Sequence, residues 1–381
     1  MRYKIVNRKK LMATALADAA GKAVYLPSRL LRKKAEINAA EVREILVIRT
    51  AYIGDVVMTL PILKPLKEKF AGARITFLTA ERAKDVLVNN PYVDEVVTYD
   101  PFWFYPSPTA DYLSFISGFK KRHFDIVIEA RADIRELMLL VRPLDAPYKV
   151  SYDEGGGGFF LTHVVPYLAL GHKVEYHLDI ARHLGCYVGE VEWGIYLTDA
   201  EKARVREKMR THGIKRPFIG AHPGTRLALK RWQAEKYASL YDRFASEYGI
   251  PVVVFGVESE RPFVDDILAK MRSKPVDLTG RLSLREFAGV VSKASLLICN
   301  DSGPMHIAAA MKTATVAIFG PSKSVETGPY GAIHKVVEKE FACRYTCDEN
   351  TCNSDRPGAC MAAIEVDDVM RAVREQLEGK I

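Results

Sequence analysis

The chain has 381 residues, 48% hydrophobic and 27% charged, the length of two ordinary domains and the composition of a soluble globular protein. No apolar run approaches the roughly 18 residues of a membrane span, and no uninterrupted apolar stretch near the N-terminus reads as a secretory signal. The net charge of +8 sits in one place: residues 1–34 hold ten Lys and Arg against Asp18 alone, while the remaining 347 set 45 basic side chains against 46 acidic ones, so the body is not a nucleic-acid surface.

Residues 1–40 are predicted to form a basic amphipathic helical arm. The stretch "NRKKLMATALADAAGKAVYLPSRLLRKKAE" mixes basic clusters with Leu, Met, Val and Tyr. An anionic membrane surface would attract it by ~1 kcal/mol per nearby basic residue. A solvated helix packed on its own domain or on a partner fits the same pattern. Nucleic acid fits less well, because no stacking aromatics are interleaved.

From Glu44 onward, short β-rich runs alternate with helical ones. "EILVIRT", "RITFLTA", "EVVTYD" and "FDIVIEA" read as buried parallel strands, with helical patterns at 62–70 and 81–89. This series defines a first Rossmann-like domain, 41–190. Within it, "PFWFYPSPTADY" at 101–112 is an aromatic excursion that either caps a cleft or covers a sheet edge. The four glycines of "GGGGFF" match no phosphate-loop spacing and are expected to give a flexible loop at 153–160. Residues 191–216 read as a linker and a charged helix. A second series, "PFIGAHPG", "PVVVFGV", "ASLLICNDSG" and "TATVAIFGPS", with helices at 233–249 and 285–294, defines a second Rossmann-like domain, 217–365. A C-terminal helix at 366–381 completes the chain. The expected fold class is α/β, two doubly wound halves facing one another.

In open α/β sheets, ligands bind beyond the carboxyl ends of the strands, and three polar clusters fall there. Gly54-Asp55 follows the first strand. A helix capped by Asp55 would carry Pro61 and Pro65 inside it, each removing a hydrogen bond; a helix starting at Thr59 or Leu60 puts Pro61 where it is favoured. The second arrangement leaves Asp55 in the strand-tip loop, with a kinked helix from Asp55 as the alternative. "HPGTRLALKRW" places Thr225, Arg226, Lys230 and Arg231 after a strand-ending turn, as a pyrophosphate clamp or as a basic loop stapled by Trp232. "NDSGPMHIAAAM" offers Asp301 at a strand tip, Ser302 as N-cap, Gly303 for close backbone approach, and His306 in the first helical turn. Helix N-terminal amides there would bind phosphate. Cys343, Cys347, Cys352 and Cys360 form C-x3-C-x4-C-x7-C, which matches no common zinc or iron–sulfur spacing; reduced thiols or local disulfides are expected ahead of a structural metal.

"IGDVVMTLPILKPLKEKF", "HPGTRLALKRWQAEKYASL" and "NDSGPMHIAAAMKTATVAIFGPS", in this order, resemble the ADP-heptose:lipopolysaccharide heptosyltransferase family. The resemblance implies a GT-B fold, two Rossmann-like domains across a cleft, and inversion at the anomeric carbon. It implies Asp55 as general base and Lys230, with Thr225, on the donor diphosphate and leaving group. Asp301 would contact the donor sugar; Ser302, Gly303 and His306 would bind phosphates; Glu258 would accept from the donor ribose. Arg135 in "EARADIREL" would face an anionic acceptor. The chain contains no D-x-D motif, so Lys230, Arg231 and helix amides are expected to neutralise the donor phosphates without an essential metal or other cofactor. The expected partners are a nucleotide-sugar donor, an anionic glycolipid acceptor and, through residues 1–34, the anionic inner face of the cytoplasmic membrane. A nucleotide-sugar epimerase or hydrolase, or a non-catalytic nucleotide-sugar or glycolipid binding protein, are the rival readings.

Overall fold

In the structure, a computed structural model, residues 8–31, 36–167, 170–347 and 351–377 are described, without the side chains of 8–10, 26–31 and 345. The chain divides into two compact units after Trp193.

The first unit opens with α1 (Arg8–Leu31). Its six-stranded parallel sheet has the order β3-β2-β1-β4-β5-β6, from β1 (Glu44–Arg49), β2 (Arg74–Thr79), β3 (Glu95–Thr98), β4 (Ile126–Glu129), β5 (Tyr148–Ser151) and β6 (His163–Val164). β1 is central and buried from Ile45 to Arg49, as a branched apolar run flanked on both sides demands. Helices α2 (Ile53–Thr59), α3 (Leu63–Lys69), α4 (Thr109–Phe119), α5 (Ile134–Glu136) and α6 (Lys173–His183) cover it. Leu46, Ile48, Phe124, Val127, Leu137 and Leu140 lie at the centre of one core cluster.

Helix α2 starts at Ile53, so Asp55 lies in its first turn and not in a strand-tip loop. Pro61 is accommodated by tightening. It has no N–H for the carbonyl of Val57, which takes the Leu60 N–H instead; the chain runs through a 3-10 turn at Leu60–Ile62 and resumes as α3. The kinked-helix alternative is the one found. The helical pattern at 81–89 is likewise a 3-10 turn, Glu81–Val86.

The glycine run is not a flexible loop but a packed seam. A Cβ on Gly155 would stand 1.8 Å from the Ala132 carbonyl oxygen, and one on Gly156 would stand 2.7 Å from Thr14 of α1 and 3.5 Å from Ile134. Gly156 and Gly157 hold φ of +84° and +83°, which only glycine adopts cheaply. The Gly157 amide donates to buried Asp18 of α1 at 3.0 Å, and Tyr25 packs on Phe159 and Phe160 with ring centroids 5.4 Å away. The arm therefore packs on its own unit. Its basic side chains, Lys22 excepted, lie outside the described residues.

The second unit repeats the plan. β7 (Ile219–His222), β8 (Val252–Val254), β9 (Val276–Asp277), β10 (Leu296–Asn300), β11 (Thr315–Ile318) and β12 (His334–Val337) form a parallel sheet in the order β12-β11-β10-β7-β8-β9. Around it lie α7 (Asp199–Thr211), α8 (Ala234–Arg243), α9 (Arg261–Lys270), α10 (Leu284–Val291), α11 (Gly303–Ala310), the short α12 (Ser324–Thr327) and α13 (Ala359–Ala362), and α14 (Val366–Leu377). The charged helix α7 is part of this unit: Glu201 pairs with Arg285 of α10 at 2.5 Å, both largely buried. The tail of the C-terminal helix, 378–381, lies outside the described residues.

Candidate functional site

Both sheets change direction between their first and fourth strands, β1 and β4 in one, β7 and β10 in the other. Crevices at the carboxyl ends of strands open at such switch points, and the candidate residues lie there.

In the first unit, Arg49 ends β1 with its guanidinium buried. Its Nη2 donates to Asp55 Oδ1 at 2.7 Å and its Nη1 to the Ala130 carbonyl at 3.0 Å. The Asp55 side chain is 31% exposed, so the carboxylate is held by Arg49 and still meets solvent. Fully buried His177 of α6 sits behind it, its ring nitrogens 2.9 Å from the Met58 carbonyl and 3.1 Å from that of Ala130. Burial, then the Arg49 charge, pull the His177 pKa down to about 3, so the ring is neutral at ordinary pH.

The loop after β4 is built around two buried acids. Glu129 accepts from the amides of Arg131 and Ala132 at 3.0 and 2.8 Å and from the Ser151 hydroxyl at 2.7 Å. Glu136 accepts from the Thr50 hydroxyl. Burial, and then the neighbouring Glu136, push the Glu129 pKa well up. This pair shapes the loop that presents Arg131 and Arg135. Arg135 donates to Asp133 at 2.6 and 2.9 Å. Burial would push Asp133 up, yet the bonds from Arg135 and the charges of Arg131 and Arg135 hold it below the usual carboxylate range.

The 101–112 excursion serves this rim. Arg131 and Arg135 stand 3.7 and 4.7 Å from the Phe104 ring centroid, and Arg82 stands 4.3 Å from that of Tyr105. Tyr99, Trp103, Tyr112 and Phe115 pack on the core beside β3. The rim thus brings Arg82, Arg131 and Arg135 onto the aromatic excursion beside Asp133, solvent-accessible cations of the kind an anionic ligand would meet.

In the second unit, Lys230 and Asp301 form an ion pair at 2.7 Å, both nearly buried. Asp301 follows β10, and Ser302 is the N-cap of α11, but its hydroxyl makes no capping bond to the helix; it donates weakly to the Asn300 carbonyl at 3.3 Å. Thr225, in the turn after β7, and His306, in the first turn of α11, are both buried. Arg231 donates to the Thr225 carbonyl at 3.1 and 3.0 Å and fixes that turn. Trp232 staples the start of α8, its ring centroid 5.0 Å from that of Tyr237. It is fully buried, and its indole N–H donates to the Ile364 carbonyl at 2.9 Å.

Asn300 ties the two tips together. Its amide donates to the Pro223 carbonyl at 2.6 Å, and its oxygen accepts from the Tyr237 hydroxyl at 2.8 Å. Glu260, rather than Glu258, supports the His-Pro-Gly turn: a Cβ on Gly224 would fall 2.2 Å from the Glu260 carboxyl carbon. Glu260 also accepts from the Val257 amide at 2.9 Å and faces His222 Nε2 at 3.6 Å. Glu258 is exposed at the tip of β8, against Gly280.

Arg49, Arg82, Arg131, His177, Asn300, Glu260 and the Glu129–Glu136 pair were not singled out from sequence. Arg49 and Glu129 carried a readable signal, a charge at the end of a buried strand. The six cysteines are free thiols. Among the described residues no group of three or more His, Cys, Asp or Glu is arranged to hold a metal ion.

Residues 112–355 match glycosyltransferase family 9 (heptosyltransferase). The chain is 26% identical over 342 residues to lipopolysaccharide heptosyltransferase 3 of Escherichia coli K12, covering 86% of this chain and 96% of that protein. Its fold is similar to a family 9 glycosyl transferase from Veillonella parvula, with TM-score 0.77 and 24% identity over 91% of this chain and all of that one. It is also similar to the E. coli ADP-heptose lipopolysaccharide heptosyltransferase II, with TM-score 0.70 and 20% identity over 88% and 99% of the two chains.

Proposed function

The chain belongs to glycosyltransferase family 9, the heptosyltransferases, and we propose that it transfers heptose from ADP-heptose to an anionic lipopolysaccharide-core acceptor by one inverting displacement. Asp55 takes the proton from the acceptor hydroxyl as that oxygen bonds to the anomeric carbon. The bond from that carbon to phosphate breaks, and the nucleoside diphosphate leaves with the electron pair. Lys230, the Thr225 turn and the amides at the start of α11 hold the diphosphate and stabilise the growing charge, a role in which preorganised donors count most. Asp301 contacts the donor sugar and holds Lys230; His306 and Gly303 line the phosphate end, and Glu258 reaches the ribose. Arg135, with Arg82 and Arg131, holds the acceptor's anionic groups. No metal is needed, because Lys230 and the helix amides supply the positive charge.

The observation that carries this reading is the Lys230–Asp301 pair beside the first turn of α11, where Ser302 makes no capping bond. A cation with a carboxylate beside a helix N-terminus suits a phosphorylated sugar better than either ligand alone. A simple binder has no use for a separate carboxylate held by Arg49 in the first unit. The enzyme would work at the inner face of the cytoplasmic membrane, with residues 1–34 attracted to anionic lipid.

Purified protein given ADP-heptose and a heptose-deficient core glycolipid should add one heptose, seen by mass spectrometry. Donor hydrolysis without any acceptor product would overturn the transferase reading.

A further inference from the structure

The polar and apolar faces of α1 are reversed from those of an ordinary surface helix. Between Leu11 and Tyr25 its charged residues, Asp18 and Lys22, both lie on the face turned to the protein and pair with each other. Asp18 is buried and accepts from the Gly157 amide. The outward face carries no charge over this span. Met12, Leu16 and Val24 are 67%, 71% and 75% exposed, and Ala13, Ala17 and Ala20 fill the face between them.

A helix on a soluble protein normally buries such a stripe and shows its charges to water. Here the sequence brackets the stripe with basic clusters, Arg8, Lys9 and Lys10 before it and Arg29, Arg32 and Lys33 after it. An apolar face flanked by cations is the pattern of a helix lying in the headgroup region of an anionic bilayer. No helix among the described residues is long and apolar enough to cross a membrane.

The seam beneath the helix gives this orientation a purpose. The glycine layer 155–157 separates α1 from Ile134 and Leu137 by one backbone thickness: a Cβ on Gly157 would stand 3.1 Å from Leu137 and 3.2 Å from Ile134. Ile134 neighbours Arg135 on the loop that also carries Arg131. We propose that α1 lies along the anionic membrane surface with its Met12–Leu16–Val24 face embedded among the lipids, latched through Asp18 to the glycine seam that packs against the loop carrying Arg131 and Arg135. The acceptor would then be taken directly from the bilayer. This deepens, and rests on, the reading of the protein as a transferase acting on a glycolipid.

The test uses the full chain and vesicles of phosphatidylethanolamine with phosphatidylglycerol, against phosphatidylcholine alone. Leu16→Trp should show a blue-shifted emission, quenched by brominated lipid, with anionic vesicles only. Leu16→Glu and Val24→Glu, both at exposed positions, should each weaken vesicle binding at least tenfold, with the thermal shift on ADP-heptose unchanged. Binding equal to the unaltered chain overturns the proposal. So does a dimer that Leu16→Glu dissolves without loss of vesicle binding, since a second copy would then cover the face. Transfer to a heptose-deficient core glycolipid held in detergent micelles separates the two readings: if it fails in the unaltered chain, the transferase reading falls, while the vesicle result still decides the helix.

Discussion

At the scale of single residues, the chemistry depends on groups whose partners are fixed before any ligand arrives. Asp55 is held by Arg49, so Asp55→Asn keeps the contact and removes only the base. Its turnover should fall by roughly 100- to 10,000-fold, the usual contribution of a general base, while the donor-induced thermal shift stays as it was. A normal rate would remove Asp55 from the mechanism. His177 predicts a stability effect with a definite sign. Its folded pKa, about 3, lies below the roughly 6.5 of an unfolded His, so the unfolded chain binds more protons in that window. Its contribution is complete above about pH 6.5 and declines as pH falls toward 3, by up to ~1.4 kcal/mol per unit. His177→Gln should flatten that acid limb in melting curves taken from pH 7 to 4; an identical slope would mean another group sets it. Asp55, Lys230 and Asp301 could be picked out from sequence because they lie in motifs at strand tips. Arg49, His177 and Glu260 could not be assigned, because their roles come from contacts with distant segments, as His177 meets Met58 and Ala130.

At the scale of elements, most strands were legible, the edge strand β3 included. β1, β2, β3, β4, β7, β8, β10 and β11 fall on the short β-rich runs of the sequence, and each was expected where it occurs. β5, β6, β9 and β12 are short edge or near-edge strands with mixed patterns, and α6 and α9 lay in stretches not read as helices. Pro61 misled in an instructive way: one missing N–H shortened the turn locally without preventing the helix. The glycines misled for the opposite reason, since a run without side chains can mean close approach as well as freedom. Asn300 shows what an element-level contact is worth. Asn300→Ala would leave the Pro223 carbonyl and Tyr237 hydroxyl buried without their partner, at ~1–3 kcal/mol each. The variant should melt several degrees lower and bind ADP-heptose more weakly, with Asp55-dependent proton abstraction untouched. Unchanged donor affinity would show that the two donor loops do not need this bridge.

At the scale of the whole molecule, the two units share one strand order, and in both most of the candidate residues, Glu258 excepted, follow the first and fourth strands. The tandem α/β plan was readable because alternation of strand and helix survives any uncertainty about boundaries. The position of the division was less so, because α7 looks like a linker in sequence and is bonded to α10 through Glu201 and Arg285. Since fixed cations and helix amides are proposed to serve the donor phosphates, dialysis against EDTA should leave the transfer rate unchanged; a loss restored by one added metal would contradict that. The repeated sheet order also bears on how such enzymes diversify. Acceptor contacts proposed for one copy of the plan and donor contacts proposed for the other are encoded in separate stretches of the gene. Changes after β4 could then retune the receiving glycan without disturbing nucleotide recognition after β10. A lineage, or an engineer, could vary one specificity while selection holds the other constant.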